Sequence, residues 1–316
     1  MKKLLVFLLI IGVLVMVFST VLAKNYKIAV VFKALNSDWW KTVQAGVNAG
    51  AKDFNVEVSV VGPQAETAVM EQFNMIQDQI NRNINALVVA PLRPTTTNQA
   101  FEQAKKAGIP VFVFDTKANW PDQVTFIGLD NYDIAKGLGK YIREKVLTTG
   151  GNLVIIRGAM GDKTHDDRVN GVLDEVKGAN IEVLTIQPGN SERGIAMNVM
   201  QNILLVHQNV DLVFCTNDEM ALGALRAVET MRTRTKIKVI GWDGTSNALA
   251  SIRDGKLYAT VDGNAFCMGY DVVKYVVKYL NGEKIDKNIE VDYSIIDHTN
   301  FEKFIERLQK VLKRKI

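Results

Sequence analysis

The stretch "YKIAVVFKALNSDWWKTVQAGV", residues 26–47, joins an apolar run to a polar turn and then to an amphipathic pattern. Continuous apolar strands followed by helices are typical of parallel sheets that helices cover on both faces. The amphipathic pattern predicts one buried helical stripe, formed by Trp40, Val43, Val47, Ala51 and Phe54. Asn36 or Ser37 can cap this helix, and Asp38 suits its positive end. Trp39 lies about 100° from the stripe, so packing in the core does not explain it.

The rest of the chain repeats this alternation of short apolar runs with longer amphipathic stretches. The apolar runs occupy residues 26–32, 56–62, 86–90, 110–115, 125–130, 152–158, 181–186, 211–216, 237–243, 257–263 and 290–296. Strands that alternate with helices indicate βαβ units and parallel sheets. The sequence therefore predicts an α/β fold with two doubly wound parallel-sheet lobes.

The alternation of predicted strands and helices is interrupted at three places, around "TFIGLDNYD", "YATVDGNAF" and "EVDYSII". Three separated breaks predict a chain that crosses three times between the lobes, which makes a three-stranded hinge. Such a hinge permits closure about a cleft, because a few residues can absorb the change in backbone angles. The predicted limits are residues 25–128 plus 264–291 for the N-terminal lobe, and residues 129–263 plus 292–316 for the C-terminal lobe.

The N-terminus has the three-part layout of a secretory signal peptide: Lys2 and Lys3, an apolar run over residues 4–18, and "VLA" with cleavage expected after Ala23. A retained single-helix anchor is the alternative, but the run of 15 residues is shorter than the ~20 that a spanning helix needs. No cysteine follows the run, so a lipid anchor is not supported. Cleavage would lower the formal net charge from +4 to +2, which gives no electrostatic reason to expect nucleic acid as a partner.

Few residues of this sequence have a spacing that indicates catalysis or metal binding. It contains no G-x-x-x-x-G-K-[ST], H-E-x-x-H, G-x-S-x-G or C-x-x-C pattern. Cys215 and Cys267 are expected to be two buried thiols, with a disulfide as the alternative. Of three histidines that lie far apart, only His165 falls near a candidate site. We expect neither a metal centre nor a cofactor.

Ligands of open parallel α/β sheets bind beyond the carboxyl ends of the strands. Polar and aromatic residues follow those ends in both halves of the sequence. They are Lys33, Asn36, Ser37, Trp39, Trp40, Arg93, Asp115 and Thr116 in the first half, and Arg168, Asn217, Asp243, Asp262 and Asn264 in the second. Taken alone, an aspartate at a strand end is often a helix cap or a turn residue. The coincidence of these residues at one edge of both sheets favours a binding site.

Carboxylates, amides and guanidinium groups beside flat aromatic faces suit a polyhydroxylated ring. Aspartate accepts hydrogen bonds from hydroxyls, arginine and asparagine donate to oxygens, and an aromatic face covers the C–H surface. We therefore predict a sugar or cyclitol ligand, with Trp39 projecting into the cleft and Trp40 at its edge. The alternative is a sugar hydrolase or isomerase, for which Asp115 and Asp243 are the carboxylate pair to test.

The segments "VVFKALNSDWWKTVQAGV", "GIPVFVFDTKAN", "DRVNG", "CTNDEMALGALRAV", "VIGWDGTSNA" and "DGKLYATVDGN" resemble successive signatures of ribose-type periplasmic sugar-binding proteins. These are type I periplasmic binding proteins, the receptors of bacterial ABC sugar importers. The resemblance implies a monomeric, non-catalytic periplasmic receptor whose lobes close on a monosaccharide and deliver it to an ABC permease in the membrane. It also implies that Trp39 and Trp40 sandwich or edge the sugar, that Asp115 and Arg168 bind hydroxyls, and that Asn217 and Asp243 complete the contacts.

Three departures from that family pattern bear on the ligand. Thr116 stands in "DTK" where ribose binders usually have arginine, tryptophans replace the usual phenylalanines, and Gly263 replaces a glutamine at the last hinge position. A smaller set of donors and larger aromatic platforms favour a six-membered ring, such as glucose, xylose or inositol, over ribose. A receptor for chemotaxis or for a furanosyl quorum signal, using the same cleft, is the alternative. Related repressors carry an N-terminal helix-turn-helix where this chain has the predicted signal peptide.

Overall fold

A computed structural model describes residues 25–231 and 236–315, with side chains through residue 309. The predicted signal peptide, residues 1–23, lies outside the described residues. The strands are β1 (Lys27–Val31), β2 (Glu57–Val61), β3 (Ala86–Val89), β4 (Val111–Phe114), β5 (Phe126–Gly128), β6 (Gly151–Arg157), β7 (Ile181–Pro188), β8 (Leu212–Cys215), β9 (Lys238–Ile240), β10 (Ala259–Asp262), β11 (Asn288–Glu290) and β12 (Ser294–Asp297).

The helices alternate with these strands along most of the chain. They are α1 (Asp38–Asp53), α2 (Val69–Ile80), α3 (Pro94–Lys106), α4 (Asn131–Tyr141), α5 (Lys163–Val176), α6 (Arg193–Val206), α7 (Asp218–Thr230), α8 (Ser246–Arg253), α9 (Ala265–Leu280) and α10 (Phe301–Lys315). A π-helical turn, Ile142–Val146, continues α4. Among the described helices, none combines the length and the apolar character that crossing a bilayer would require.

Two six-stranded sheets form the centres of two lobes. The first has the order β11-β5-β4-β3-β1-β2 and the second has the order β12-β10-β9-β8-β6-β7. All neighbours are parallel except β10 and β12, which pair antiparallel. Because helices cover both faces, the central strands are buried along their whole length, as the continuous apolar runs predicted. The predicted fold class is confirmed.

The first helix forms largely as its sequence pattern predicts. Ser37 is the N-cap, and its Oγ accepts a hydrogen bond from the backbone nitrogen of Trp40 at 3.4 Å. Helix α9 crosses α1 so closely that a Cβ on Gly46 would lie 2.0 Å from the carbonyl oxygen of Phe266. Glycine is therefore required on the buried face of α1 by the neighbouring helix, a constraint that periodicity alone does not reveal.

Three segments connect the two sheets, between β5 and α4, between β10 and α9, and between β11 and β12. The prediction of a single strand over residues 290–296 was wrong: this run contains the end of β11 in the first sheet and the start of β12 in the second. The reason is that residues 291–293 cross between the lobes, although Val291 still donates to the carbonyl of Gly128 at 3.1 Å. We retain the predicted lobe limits at residues 128, 263 and 291 as a proposal.

Candidate functional site

The carboxyl ends of both sheets face a narrow cavity between the lobes. Side chains of both lobes line it: Lys33, Ser37, Trp39, Trp40, Glu66 and Asp115 from the first lobe, and Thr164, His165, Arg168, Asn217 and Asp243 from the second. Eight of these residues belong to the set predicted from the sequence. The strand-end rule thus brings together residues that lie far apart in the chain.

The other five predicted residues lie outside the lining of this cavity. Thr116 is buried beside it, where its hydroxyl donates to Asp115 Oδ2 at 2.9 Å. Asn36 is exposed, and Arg93 is an exposed rim residue that donates to the carbonyl oxygen of Met160 in the other lobe at 3.1 Å. Two further residues line a different cavity, next to the crossing segment 291–293: Asp262 and Asn264.

Lys33 is a buried cation that joins the two lobes. Its Nζ lies 2.8 Å from Asp162 Oδ2 in the second lobe and 3.4 Å from Asp115 Oδ2 in the first. It also donates to the hydroxyl of Thr164 at 3.3 Å. Burial by itself would lower the pKa of Lys33, but the two carboxylates outweigh it and raise the pKa above its ordinary value. Lys33 therefore stays charged, and its donors point at the interface between the lobes.

Glu66 is a site residue that was not predicted from the sequence. It follows β2, at the same edge of the sheet as the predicted residues, so the strand-end rule extended to "GPQAET" would have found it. Its carboxylate accepts from Trp40 Nε1 at 3.2 Å and from Ser191 Oγ at 2.6 Å, and lies 3.2 Å from His165 Nε2. Burial would raise the pKa of Glu66, but the hydrogen bond with His165 and the charge of Lys33 lower it below its ordinary range. Glu66 is therefore a second charged group that joins the lobes.

Arg168 is the cation on the floor of the cavity, and several contacts hold its guanidinium in place. Its Nε donates to Asn131 Oδ1 at 2.9 Å and its Nη1 donates to the carbonyl oxygen of Thr216 at 2.7 Å. The guanidinium also lies 4.5 Å from the ring centroid of Trp242, a stacking arrangement that suits arginine better than lysine. These contacts hold the guanidinium so that its remaining N–H groups face the cavity.

Asp243 and Asn217 complete the second lobe's part of the lining. Asp243 Oδ1 lies 3.7 Å from Arg168 Nη1. Burial raises the pKa of Asp243 well above its ordinary value, even though the arginine lowers it. Asn217 is the N-cap of α7, and its Oδ1 accepts from the nitrogen of Met220 at 2.9 Å. This capping bond leaves the amide NH₂ as the group that Asn217 can offer to a ligand.

The two tryptophans occupy different surroundings. Trp40 packs into the first lobe, where its ring centroid lies 5.1 Å from that of Phe32 and 6.1 Å from that of Phe114. The edge of its indole that carries Nε1 reaches the cavity. Trp39 packs towards the hinge, close to Leu129 and Gly263. Both are buried, at 6% exposure for Trp39 and 2% for Trp40, and both belong to the buried apolar core, so the prediction that core packing does not explain Trp39 was wrong. The cavity therefore has aromatic walls next to its charged groups.

Three possible metal ligands in the described residues, Glu66, Asp162 and His165, have donor atoms within 4.8 Å of one another. The ammonium of Lys33 lies 2.8 Å from Asp162 and already supplies a positive charge to this group. The chemistry of these residues thus suits hydrogen bonding between the lobes and to a polar ligand.

Comparison with known proteins agrees with this geometry. Residues 28–284 match the family described as "Periplasmic binding protein domain". The chain is 31% identical over 296 residues to the ribose import binding protein RbsB of Salmonella typhimurium, covering 94% of this chain and 98% of that protein. It is 28% identical over 272 residues to the D-allose-binding periplasmic protein of Escherichia coli, covering 84% and 86%.

Among solved structures, the chain resembles an ABC transporter solute-binding protein from Agrobacterium vitis with bound D-fucose. The TM-score is 0.83 at 28% sequence identity, covering 88% of this chain and 97% of that one. The family resemblance inferred from the sequence is thereby confirmed. With two parallel-sheet lobes, a polar and aromatic cavity between them and a match over most of its length, the chain belongs to the periplasmic binding protein domain family.

Proposed function

We propose that this protein is an extracytoplasmic receptor that binds a cyclic polyol, a monosaccharide or a cyclitol, in the cavity between its lobes. The observation that carries the proposal is the lining of that cavity, where two tryptophans lie beside hydrogen-bonding groups from both lobes. A ligand touching both lobes stabilises the closed arrangement, because it loses half of its contacts when the lobes separate.

The balance of charge in the cavity favours a neutral ligand. Among the described lining residues, the carboxylates are Glu66, Asp115 and Asp243, and the permanent cations are Lys33 and Arg168. Burial favours the neutral form of Asp243 by raising its pKa, so Glu66 and Asp115 balance the two cations and a neutral ligand leaves that balance undisturbed. Hydroxyl groups can donate to the carboxylates and accept from the cations, which is the pattern that a polyol needs.

We further propose a six-membered ring, such as glucose, xylose or inositol, as the ligand class. The relatives compared above are named for ribose and D-allose, and the solved relative holds D-fucose. The indoles of Trp39 and Trp40 provide larger flat faces than phenylalanine, which suits the C–H surface of a larger ring. Thr116 is bound to Asp115 and Thr164 rather than lining the cavity, so it does not add a donor there.

The biological role follows from the family. Its members are solute-binding proteins of ABC transporters, and the protein is not an enzyme. We propose that the signal peptide of residues 1–23 is cleaved after Ala23, that the mature protein acts in the periplasm as a monomer, and that it delivers its ligand to an ABC permease.

Isothermal titration calorimetry of the purified protein against pentoses, hexoses and inositols tests this function. One cyclic polyol should bind with a dissociation constant of about 1 μM or lower, with no product formed. Trp39→Ala should weaken binding by more than about 1 kcal/mol, because the aromatic face is lost.

Arginine variants provide a matched comparison. Arg168→Lys should weaken binding at least about tenfold. A lysine ammonium lacks the planar set of N–H donors of a guanidinium and cannot stack on the ring of Trp242. The control, Arg253→Lys, changes an exposed arginine on α8 that pairs with its neighbour Asp254 and should stay within about twofold. Absence of binding across the whole panel, or equal effects of the two arginine variants, would contradict the proposed site.

A further inference from the structure

A single carboxylate bridges the two lobes at the edge of the sheets that lies opposite the hinge. The crossing segments leave β5 and β11 of the first sheet and meet β10 and β12 of the second, whereas β2 and β7 form the other edges. Glu66 follows β2, Ser191 follows β7, and their side chains meet at 2.6 Å. We propose that Glu66 is a latch that holds the closed lobes together at this mouth and so sets how slowly a bound ligand leaves. The inference rests on the proposed function and adds a positioning residue to it.

Protein groups alone supply the hydrogen bonds of this carboxylate. Its Oε2 accepts from Ser191 Oγ at 2.6 Å and lies 3.2 Å from His165 Nε2, and its Oε1 accepts from Trp40 Nε1 at 3.2 Å. Ser191 Oγ also lies 3.0 Å from His165 Nε2. Because the one hydroxyl proton of Ser191 goes to Glu66, its oxygen can accept from the histidine. Glu66 therefore joins the lobes without needing a ligand as a partner.

The ring of His165 is held in the position that this network requires. Its Nδ1 lies 2.8 Å from Thr216 Oγ1, which accepts from the backbone nitrogen of Gly158 at 3.0 Å. The hydroxyl proton of Thr216 is then available to Nδ1, and this leaves the proton of the neutral ring on Nε2, facing Glu66. A Cβ on Gly158 would lie 2.2 Å from His165 Cδ2, so the ring occupies space that any other residue at position 158 would fill.

The backbone of the loop after β7 is also shaped to present the serine. Asn190 and Ser191 both lie in the left-handed region, with φ of 54° and 63°, which is uncommon for residues other than glycine. Such a conformation persists where the surrounding structure holds it, and it often marks a functional position. Ser191 is buried, but it is not among the described residues that line the binding cavity. It can therefore act on a ligand only through Glu66 and His165.

The place of the latch decides which rate it controls. When lobes rotate about a hinge, the groups farthest from the hinge separate most, so the bond between Glu66 and Ser191 breaks early in opening. A hydrogen bond to a charged acceptor corresponds to about 10- to 100-fold in an equilibrium constant. A ligand enters while the lobes are apart and leaves only after they open, so losing the latch should raise the dissociation rate and leave the association rate nearly unchanged.

Stopped-flow tryptophan fluorescence with the tightest-binding polyol of the panel tests the latch. Glu66→Ala should raise the dissociation rate at least about tenfold and Ser191→Ala at least about threefold, with association rates within about threefold of the unmodified protein. The double variant should exceed Glu66→Ala by no more than about twofold, because Ser191 acts through Glu66. The control is Glu71→Ala, an exposed carboxylate on α2, which should stay within about twofold.

Several outcomes would overturn the latch and leave the receptor function standing. These are an unchanged dissociation rate in folded Glu66→Ala, a loss confined to association, or effects of the two single variants that multiply in the double variant. Near-ultraviolet circular dichroism checks folding, and if Glu66→Ala does not fold, Ser191→Ala decides by the same rates. If no cyclic polyol binds, the proposed function fails. Small-angle X-ray scattering without ligand then decides, since Glu66→Ala should have a larger radius of gyration than the unmodified protein and equal values would overturn the latch.

Discussion

Replacing Lys33 with methionine should destabilise the protein strongly, because it removes one charge from a buried cluster of three. At an effective dielectric constant of about 20, the attractions of the ammonium at 2.8 Å to Asp162 and 3.4 Å to Asp115 amount to about 6 and about 5 kcal/mol. The lost hydration of the ammonium offsets several kcal/mol of this. Breaking a buried pair by removing one partner costs about 3–5 kcal/mol, and we expect Lys33→Met to lower the free energy of unfolding by that amount at pH 7.

The loss should depend on pH in a defined direction. The charge of Lys33 helps to hold the pKa of Glu66 below its ordinary range, so Lys33→Met raises that pKa. A depressed folded-state pKa gives stability that is present above the unfolded pKa and is lost as the pH falls through the folded value. The difference between Lys33→Met and the unmodified protein should therefore not grow as the pH falls from 7 to 5, and should shrink below about pH 4.

Urea unfolding followed by tryptophan fluorescence measures these free energies. The double variant Lys33→Met, Asp162→Asn should recover at least about 1 kcal/mol, because asparagine keeps the capping bond to the nitrogen of Thr164 and removes one unpaired charge. The control is Lys41→Met, which breaks an exposed pair with Asp38 and should cost less than about 0.5 kcal/mol. A loss below about 1 kcal/mol at pH 7 for Lys33→Met, or a loss that grows towards pH 5, would refute the reasoning.

Further predictions concern helix packing and a buried acid. Gly46→Ala should cost about 2–3 kcal/mol by urea unfolding, since its Cβ would collide with a carbonyl of α9, whereas Gly194→Ala, with nothing within 4 Å, should gain about 0.5–1 kcal/mol. Equal effects would contradict the close crossing of the two helices. Burial raises the pKa of Asp218 to about 6, so this group should make stability fall by about 2 kcal/mol as the pH rises from 4 to 6. Asp218→Asn should lack this contribution, and identical pH profiles of unfolding for both proteins would exclude it.

Much of the fold could be predicted because burial on both faces of a sheet leaves a direct trace in the sequence. Apart from β11 and β12, the strands of both sheets coincide with apolar runs, and the Ser37 cap of α1 follows from local residue types. The run 290–296 misled the prediction because its apolar and β-branched residues suit a strand at each end. The crossing predicted at this segment lies at residues 291–293, and local pattern does not show that it divides the apolar run into strands of two sheets.

The candidate site could be predicted in outline for a similar reason. Parallel strands bring their carboxyl ends to one edge, so Asp115, Arg168 and Asp243 were expected near each other and do line one cavity. Asp262 and Asn264 also follow a strand, yet they line the other cavity beside the hinge. Which side of a crossing segment a side chain faces depends on the backbone path through the hinge.

The sequence by itself determined the two-lobed α/β fold, the family and the edge of the sheets where a ligand can bind, because each depends on local pattern or on parallel strand direction. Only the tertiary structure decided which groups meet across the cleft. Lys33 and Asp162 are 129 residues apart, and Glu66 and Ser191 are 125 apart. Such contacts depend on how the two lobes close on each other, and the fit of Trp39 against Gly263 likewise depends on a distance that no periodicity records.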